Sequence, residues 1–458
     1  MGIPVLKPFL FFGSPPFALH KIVWSDWYVQ QHRKLGPTFG LYLGTYKVIT
    51  TIDPDIIKAV YVKNFEELGD MVDNPHYDDK MKTIDLAQGE EWKSLRKIMT
   101  PTFTTGKIKS MLEPMVQVAD LSMNHLKALS QKGPVELKGF FQGFALDTIC
   151  RCAFSIESNA HQDPDHHLVK AGREAFQGFR VGNWMESLFT LLFYFCPGLE
   201  ASFPSLIYPE SFFKLQHIMD EIVDQRIAAK SHYGDFIDKI VETCSDDGKN
   251  AAVSSDMIRA QGKIFFAAGF ETTSNCLTTL CYHLALNEEV QEKIRQEIKE
   301  VLTSTKDEKI DHESVSELHY LEAAIKENLR ICPPIILQQR ICKKDVQIKG
   351  LAIDKGTYVQ IPIYACHHNP DAFAEPGAFK PERFLHADNV APYTFTGFSG
   401  GPRICLGMRF AMTEMKVCMA KLLENFKITP CKETELTFLP GDQFMLHYKQ
   451  VFVNLEKI

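Results

Sequence analysis

Cys405 sits in the stretch FSGGPRICLGM, between a glycine-rich loop and a long amphipathic helix. Two readings compete for it: one small buried hydrophobe among twelve cysteines, or a thiolate held in place for chemistry. Gly400, Gly401 and Gly407 remove side chains on either side, so a flat ligand could approach the backbone closely. The free N–H groups and dipole of the following helix would favour a thiolate. Arg403, two residues earlier, adds positive charge for the sulfur or for an anionic group on a ligand, and Ile404, Leu406 and Phe398 would keep water away. These features suit an axial ligand to iron, because a thiolate donates electron density through the metal and favours O–O cleavage. Structural zinc does not fit, since no His or Cys stands at ligand spacing and His386 and His447 bear no ordered relation to Cys405. From these residues alone, the inert cysteine and the ligand both stay open.

Three further pairs carry chemical interest. Glu271 and Thr272 lie in AAGFETTS, inside a helical segment. A threonine there can bond back to the carbonyl of Ala268 and do nothing more, or it can open a small groove for a ligand. Glu327 and Arg330 are i,i+3 neighbours beside the Cys332-Pro333-Pro334 break of an otherwise apolar helix, which points to a buried, structural ion pair. Trp92 and Arg96 are i,i+4, so indole N–H and guanidinium can reach one anion. The competing reading for Arg96, with Lys93 and Lys97 beside it, is a solvated basic face.

The elements that must position these residues are mostly helical. At 458 residues and 45% hydrophobic composition the chain can bury a large core, and the net charge of −7 is spread along it. The absence of a long basic tract argues against nucleic acid as a partner. Cysteines without repeated spacing, and no cleavable signal, point to reduced thiols. Helical periodicity covers residues 108–129, 137–154, 165–176 and 209–230, and a helix beginning at about Glu90 should stop at Pro101. The apolar run 262–286 carries Glu271 near its middle, so it reads as a central helix of a soluble core rather than a membrane span. Beyond the charged NEEVQEKIRQEIKEVL, the segment SVSELHYLEAAIKENLRI reads as one helix ending at the prolines. Strands are expected at residues 42–50, at IILQQRI, DVQIKGLAI and TYVQIPI, and in a terminal hairpin of TELTFL with FMLHYKQVFVNL. The whole, residues 1–458, is expected to be mainly α with a small β-rich region, as a single interwoven domain.

Taken together, these residues resemble the cytochrome P450 family over essentially the full chain. The loop matches its Phe-Gly-x-Gly-x-Arg-x-Cys-x-Gly signature at Phe398, Gly401, Arg403, Cys405 and Gly407, with Ser399 where the first glycine is usual and Gly397 where a proline is common. AAGFETTS, KENLR, FKPERF with Arg383, and WKSLR follow the family's order. The nearest resemblance is to the microsomal group that includes the steroid- and drug-oxidising enzymes and thromboxane synthase.

The resemblance implies the cytochrome P450 fold with haem b, ligated by Cys405. It implies that Trp92, Arg96, Arg340 and Arg403 meet the haem propionates, with Phe398 beside the sulfur. Thr272 and Glu271 then deliver protons to dioxygen, while Glu327, Arg330 and Arg383 lock the segment leading to the haem loop. The implied activity is a monooxygenase acting on a lipophilic substrate (steroid, fatty acid or xenobiotic), with a peroxide-rearranging isomerase or an inactive haem-binding protein as alternatives. No flavin, nicotinamide or iron–sulfur motif is present in the sequence, so electrons are expected from NADPH-cytochrome P450 reductase, with cytochrome b5 as a second donor. Lys93, Lys97 and Arg409 form a candidate docking patch. Ala268, Thr272, Ile335 and Leu337 are expected to face the substrate. Eight aromatics, Trp184, Phe189, Phe193, Tyr194, Phe195, Phe203, Phe212 and Phe213, suggest an entry surface at the membrane. The family's hydrophobic anchor is not seen ahead of MGIPVLKP, and the expected location is the cytosolic face of the endoplasmic reticulum membrane.

Overall fold

The computed structural model describes the chain except residues 1, 9–12, 15–17, 72–77, 164–166, 178–180, 196–209, 246–252 and 306–308. Helices dominate, and most of the expected ones lie where the periodicity places them. Leu137–Phe154 begins where Glu136 accepts hydrogen bonds from the N–H groups of Lys138 and Gly139. The central helix, Ser255–Leu286, starts at a Ser254 cap bonded to the Met257 N–H and runs about 48 Å at 1.5 Å per residue. Both helices are buried over most of their surface, and they pack directly against each other. Thr105–Ser130 and Met408–Asn425 pack together on the side of the cysteine loop.

The small β region forms three sheets. In the largest, β1 (Thr38–Leu43) pairs antiparallel with β2 (Tyr46–Thr51), and β2 runs parallel to β7 (Tyr358–Ile361). β4 (Gln338–Ile341) closes that sheet, with Arg340 opposite Val359. β5 (Val346–Ile348) and β6 (Leu351–Ile353) make a separate hairpin.

Two expectations need correction. The segment expected as one helix is two, His312–Glu317 and His319–Ile331. Leu318 leaves the helical region at ψ 73°, and the Glu297 carboxylate accepts from the N–H groups of Tyr320 and Leu321 at 2.6 and 2.9 Å, capping a fresh start. The terminal hairpin shrinks to a bridge between Phe438 and Tyr448. The last strand, β9 (Phe452–Lys457), pairs instead with β8 (Phe426–Thr429), which no turn chemistry announces, and with β3 (Val135–Glu136). That long-range pairing ties the C-terminus to the start of Leu137–Phe154.

Candidate functional site

Cys405 is the exposed cysteine among those described, yet protein surrounds it closely enough that burial raises its thiol pKa. Both observations hold if the sulfur faces an enclosed space. The Gly407 N–H and the charge of Arg96 pull the other way and favour the thiolate. The Cys405 N–H donates to the Phe398 carbonyl at 2.9 Å, closing the loop on itself. Phe398 is half-buried against the core and, with Gly397, Ser399, Ile404, Met408 and Met412, walls a cavity of about 480 Å3 behind the loop. That cavity shares no lining residue with the central helix.

The loop glycines have a different reason from the one the sequence suggests. A Cβ on Gly401, at φ +65°, would lie 2.0 Å from the Tyr61 carbonyl oxygen, and one on Gly400 would lie 2.8 Å from the Tyr61 ring. These two glycines admit Tyr61, while Gly407 alone has open room beside it. Ser399 also takes a positive φ, +67°, and its hydroxyl donates to Gln338 Oε1 at 2.9 Å. Gly397 lies under the Phe395 ring, where a Cβ would be 2.9 Å from Cζ.

Along the central helix, Ile264, Ala268 and Thr272 stand open at i,i+4 spacing, with Gly269 also partly open, in a helix otherwise buried over this stretch. Thr272 Oγ1 donates to the Ala268 carbonyl, so the back-bonded arrangement is present. Glu271 lies on another face, 2% exposed. Lys138 Nζ stands 2.8 Å from Oε1, and Gln142 Nε2 donates to Oε2 at 3.1 Å. The structure therefore does not bring Glu271 and Thr272 together, and Lys138, which no motif marks, is the partner that sequence reasoning missed. Ile335 is partly open, but Leu337 is 1% exposed and belongs to the core. Of the aromatic group, Trp184 and Phe213 are exposed and Phe203 lies outside the described residues.

The cationic residues converge. Arg403 lies over the Trp92 ring at 4.5 Å, and its Nη2 donates to Asp70 Oδ1 at 2.7 Å and to the Ala87 carbonyl at 2.8 Å. Its buried Nε has no partner among the described residues, and burial lowers its pKa to about 10. Arg340, 3% exposed, has only the Gln339 carbonyl at 2.8 Å and the Tyr61 ring at 5.5 Å, with no carboxylate paired to it among the described residues. Half-buried Arg96 likewise lacks an ion pair there, and burial lowers its pKa. An unpaired buried cation costs several kcal/mol. A ligand carrying carboxylates and seated beside Cys405 would supply the anions that Arg340 and Arg96 lack.

Residues 3–455 match the cytochrome P450 family. The chain belongs to that family. It is 33% identical to cytochrome P450 3A5 of Homo sapiens over 99% of this chain and 90% of that protein. Cytochrome P450 3A9 of Rattus norvegicus is 33% identical over 97% and 89%, and cytochrome P450 3A16 of Mus musculus is 34% identical over 97% and 89%. This cytochrome P450 carries haem b and is a haem-thiolate monooxygenase rather than a peroxide-rearranging isomerase. It relies on a redox partner and takes lipophilic substrates, as microsomal members of the family do.

The Glu-x-x-Arg pair expected to be buried is so. Arg330 donates to Glu327 from Nε at 2.7 Å and from Nη2 at 2.9 Å, and both side chains are fully excluded from solvent. Arg383 Nε adds a third bond to Glu327 at 3.2 Å. Asp70 was not legible in its polar loop, although it orients Arg403.

Proposed function

We propose that Cys405 Sγ would hold the haem iron, that Phe398 would shield it, and that Trp92, Arg96, Arg340 and Arg403 would receive the haem carboxylates. The observation carrying this reading is that Arg340 and Arg96 lack an anion and buried Arg403 Nε lacks a partner, with Cys405 the exposed cysteine, all among the described residues. Haem held through a thiolate supplies the reductive activation of dioxygen, in which one oxygen atom enters the substrate and the other leaves as water.

The chain's own residues manage the protons. Thr272 has committed its hydrogen to the Ala268 carbonyl, so towards the open space it presents lone pairs only. It can therefore hold a protonated group in place but needs a separate source of protons. Glu271 is that source in this reading, with Lys138, partly exposed, linking it to solvent. Groups in this role are worth about 10²- to 10⁴-fold in rate.

The apolar character of the open Ile264 and Ala268 and of partly open Ile335 favours a steroid, fatty acid or xenobiotic over a charged metabolite. Electrons come from NADPH-cytochrome P450 reductase, with cytochrome b5 as an additional donor. Exposed Arg409, which borders the cavity behind the loop, and exposed Lys93 and Lys97 are the cations that would meet the donor in this reading. Exposed Trp184, Met185, Leu188 and Phe213 support contact with the endoplasmic reticulum membrane. Among the described residues no helix is long and apolar enough to cross a membrane.

Holoprotein titrated with a steroid, a long-chain fatty acid and a planar xenobiotic tests this reading by the spin-state change of the ferric haem. At least one is expected to produce it and to be hydroxylated only when reductase and NADPH are present. Product formed without reductase would contradict the assignment.

A further inference from the structure

The cysteine loop is tethered from behind by a residue that neither the signature nor the ion-pair cluster includes. His367 ends the short helix Ile363–His367 and is fully buried. Its Nε2 lies 2.9 Å from the Thr396 backbone nitrogen, and its Nδ1 lies 3.2 Å from the Arg330 carbonyl oxygen. A carbonyl only accepts and a peptide N–H only donates. One form alone satisfies both contacts, the neutral imidazole with its hydrogen on Nδ1. Burial keeps the ring in that form, lowering its pKa to about 3.

We propose that His367 is a positioning residue for the cysteine ligand, joining the Glu327–Arg330 pair to the loop that carries Cys405. The connection is continuous. Arg330 Nη1 donates to the His367 carbonyl at 2.9 Å, so the two residues grip each other in both directions. The Phe395 ring stacks on the imidazole at 5.1 Å and 18°, and Gly397 packs beneath Phe395. Thr396, held by His367, accepts the Ser399 N–H at 2.9 Å, and the Phe398 carbonyl between them accepts the Cys405 N–H at 2.9 Å. Releasing Thr396 frees the turn that fixes where the sulfur points. The buried ion pair thereby acts on the ligand through an imidazole and not by direct contact.

This inference rests on Cys405 being the ligand, and the test separates the two. His367→Leu removes both ring contacts, whereas His367→Gln keeps an acceptor near the Nε2 position for the Thr396 N–H. The readout is the reduced carbon monoxide complex of each holoprotein, comparing the long-wavelength Soret band of thiolate ligation with the shorter-wavelength band that replaces it. Far-ultraviolet circular dichroism follows the helices alongside. In His367→Leu the thiolate band is expected to convert about tenfold faster than in the parent, the weight of one buried hydrogen bond. His367→Gln is expected to stay within about threefold of the parent, since it retains the bond to the loop. Conversion in His367→Leu at the parental rate overturns the proposal, as does equal acceleration in both variants. A parent protein without the thiolate band overturns the Cys405 assignment and this inference with it.

Discussion

Glu271 and Thr272 adjoin in sequence but serve different partners. The carboxylate is buried against Lys138 at 2.8 Å, while the threonine hydroxyl bonds back to Ala268 on the open stripe. One residue of helix turns a side chain by about 100°, which suffices to separate the proposed proton source, Glu271, from the proposed holding group, Thr272. Thr272→Ala is expected to leave oxygen consumption largely intact while product falls and peroxide rises. Equal coupling of oxygen to product in variant and parent would remove Thr272 from proton handling.

Glu271→Gln should act differently. It keeps the shape and the contact with Gln142 but removes the carboxylate and leaves Lys138 without its anion. Turnover is expected to fall by about 10²-fold or more, with substrate affinity little changed and an enlarged solvent isotope effect. A variant as fast as the parent would show that protons arrive by another route.

The Glu327–Arg330 pair lies wholly out of solvent, and Glu327 also accepts from the Lys380 N–H at 3.0 Å. Glu327→Ala is expected to lower the unfolding free energy by about 3–5 kcal/mol, because it strands a buried guanidinium. Arg383→Ala should cost less, since that side chain is partly exposed. Denaturant midpoints check the ordering, and a larger loss at Arg383 would contradict it.

How far the site was legible depends on the kind of signal. The central helix, the buried pair and the cysteine loop follow from periodicity, i,i+3 spacing and a glycine-rich signature, all of which are local. Lys138, Asp70 and His367 are single residues in ordinary surroundings, and only the packing of distant segments gives them partners. The split at Leu318 depends on Glu297 of another helix, and β9 pairs with β8 across a long connection and with β3 from far earlier in the chain. A one-dimensional pattern carries neither. The glycines show the opposite case, in which the residue type was informative but its reason, room for Tyr61, was not visible.

Ser399 allows a direct test of that loop. A side chain at φ +67° costs about 1–2 kcal/mol, and its bond to Gln338 offsets about 1 kcal/mol. Ser399→Ala loses the bond and keeps the strain, so its unfolding free energy should drop by about 1 kcal/mol. Ser399→Gly relieves the strain and should exceed the alanine variant by about 1 kcal/mol or more. An alanine variant as stable as the glycine one would refute this balance.

Acid should destabilise the fold early. Burial lowers the pKa of His32, His283 and His368 to about 4 and that of His367 to about 3, from an ordinary value of 6.5. Below pH 6.5 the unfolded chain takes up protons that these folded imidazoles refuse, so stability is complete above that pH and declines towards pH 4. Each contributes a slope of up to about 1.4 kcal/mol per pH unit. Denaturant unfolding between pH 7.5 and 5 should show the decline beginning near 6.5, and a flat profile would contradict it.

The central claim is that the Cys405 sulfur binds the haem iron, and the reduced carbon monoxide spectrum of the parent beside Cys405→His measures it most directly. The parent is expected to give the long-wavelength Soret band of thiolate ligation, and Cys405→His to retain haem while that band vanishes. A parent without the band, or a histidine variant that keeps it, would contradict the account.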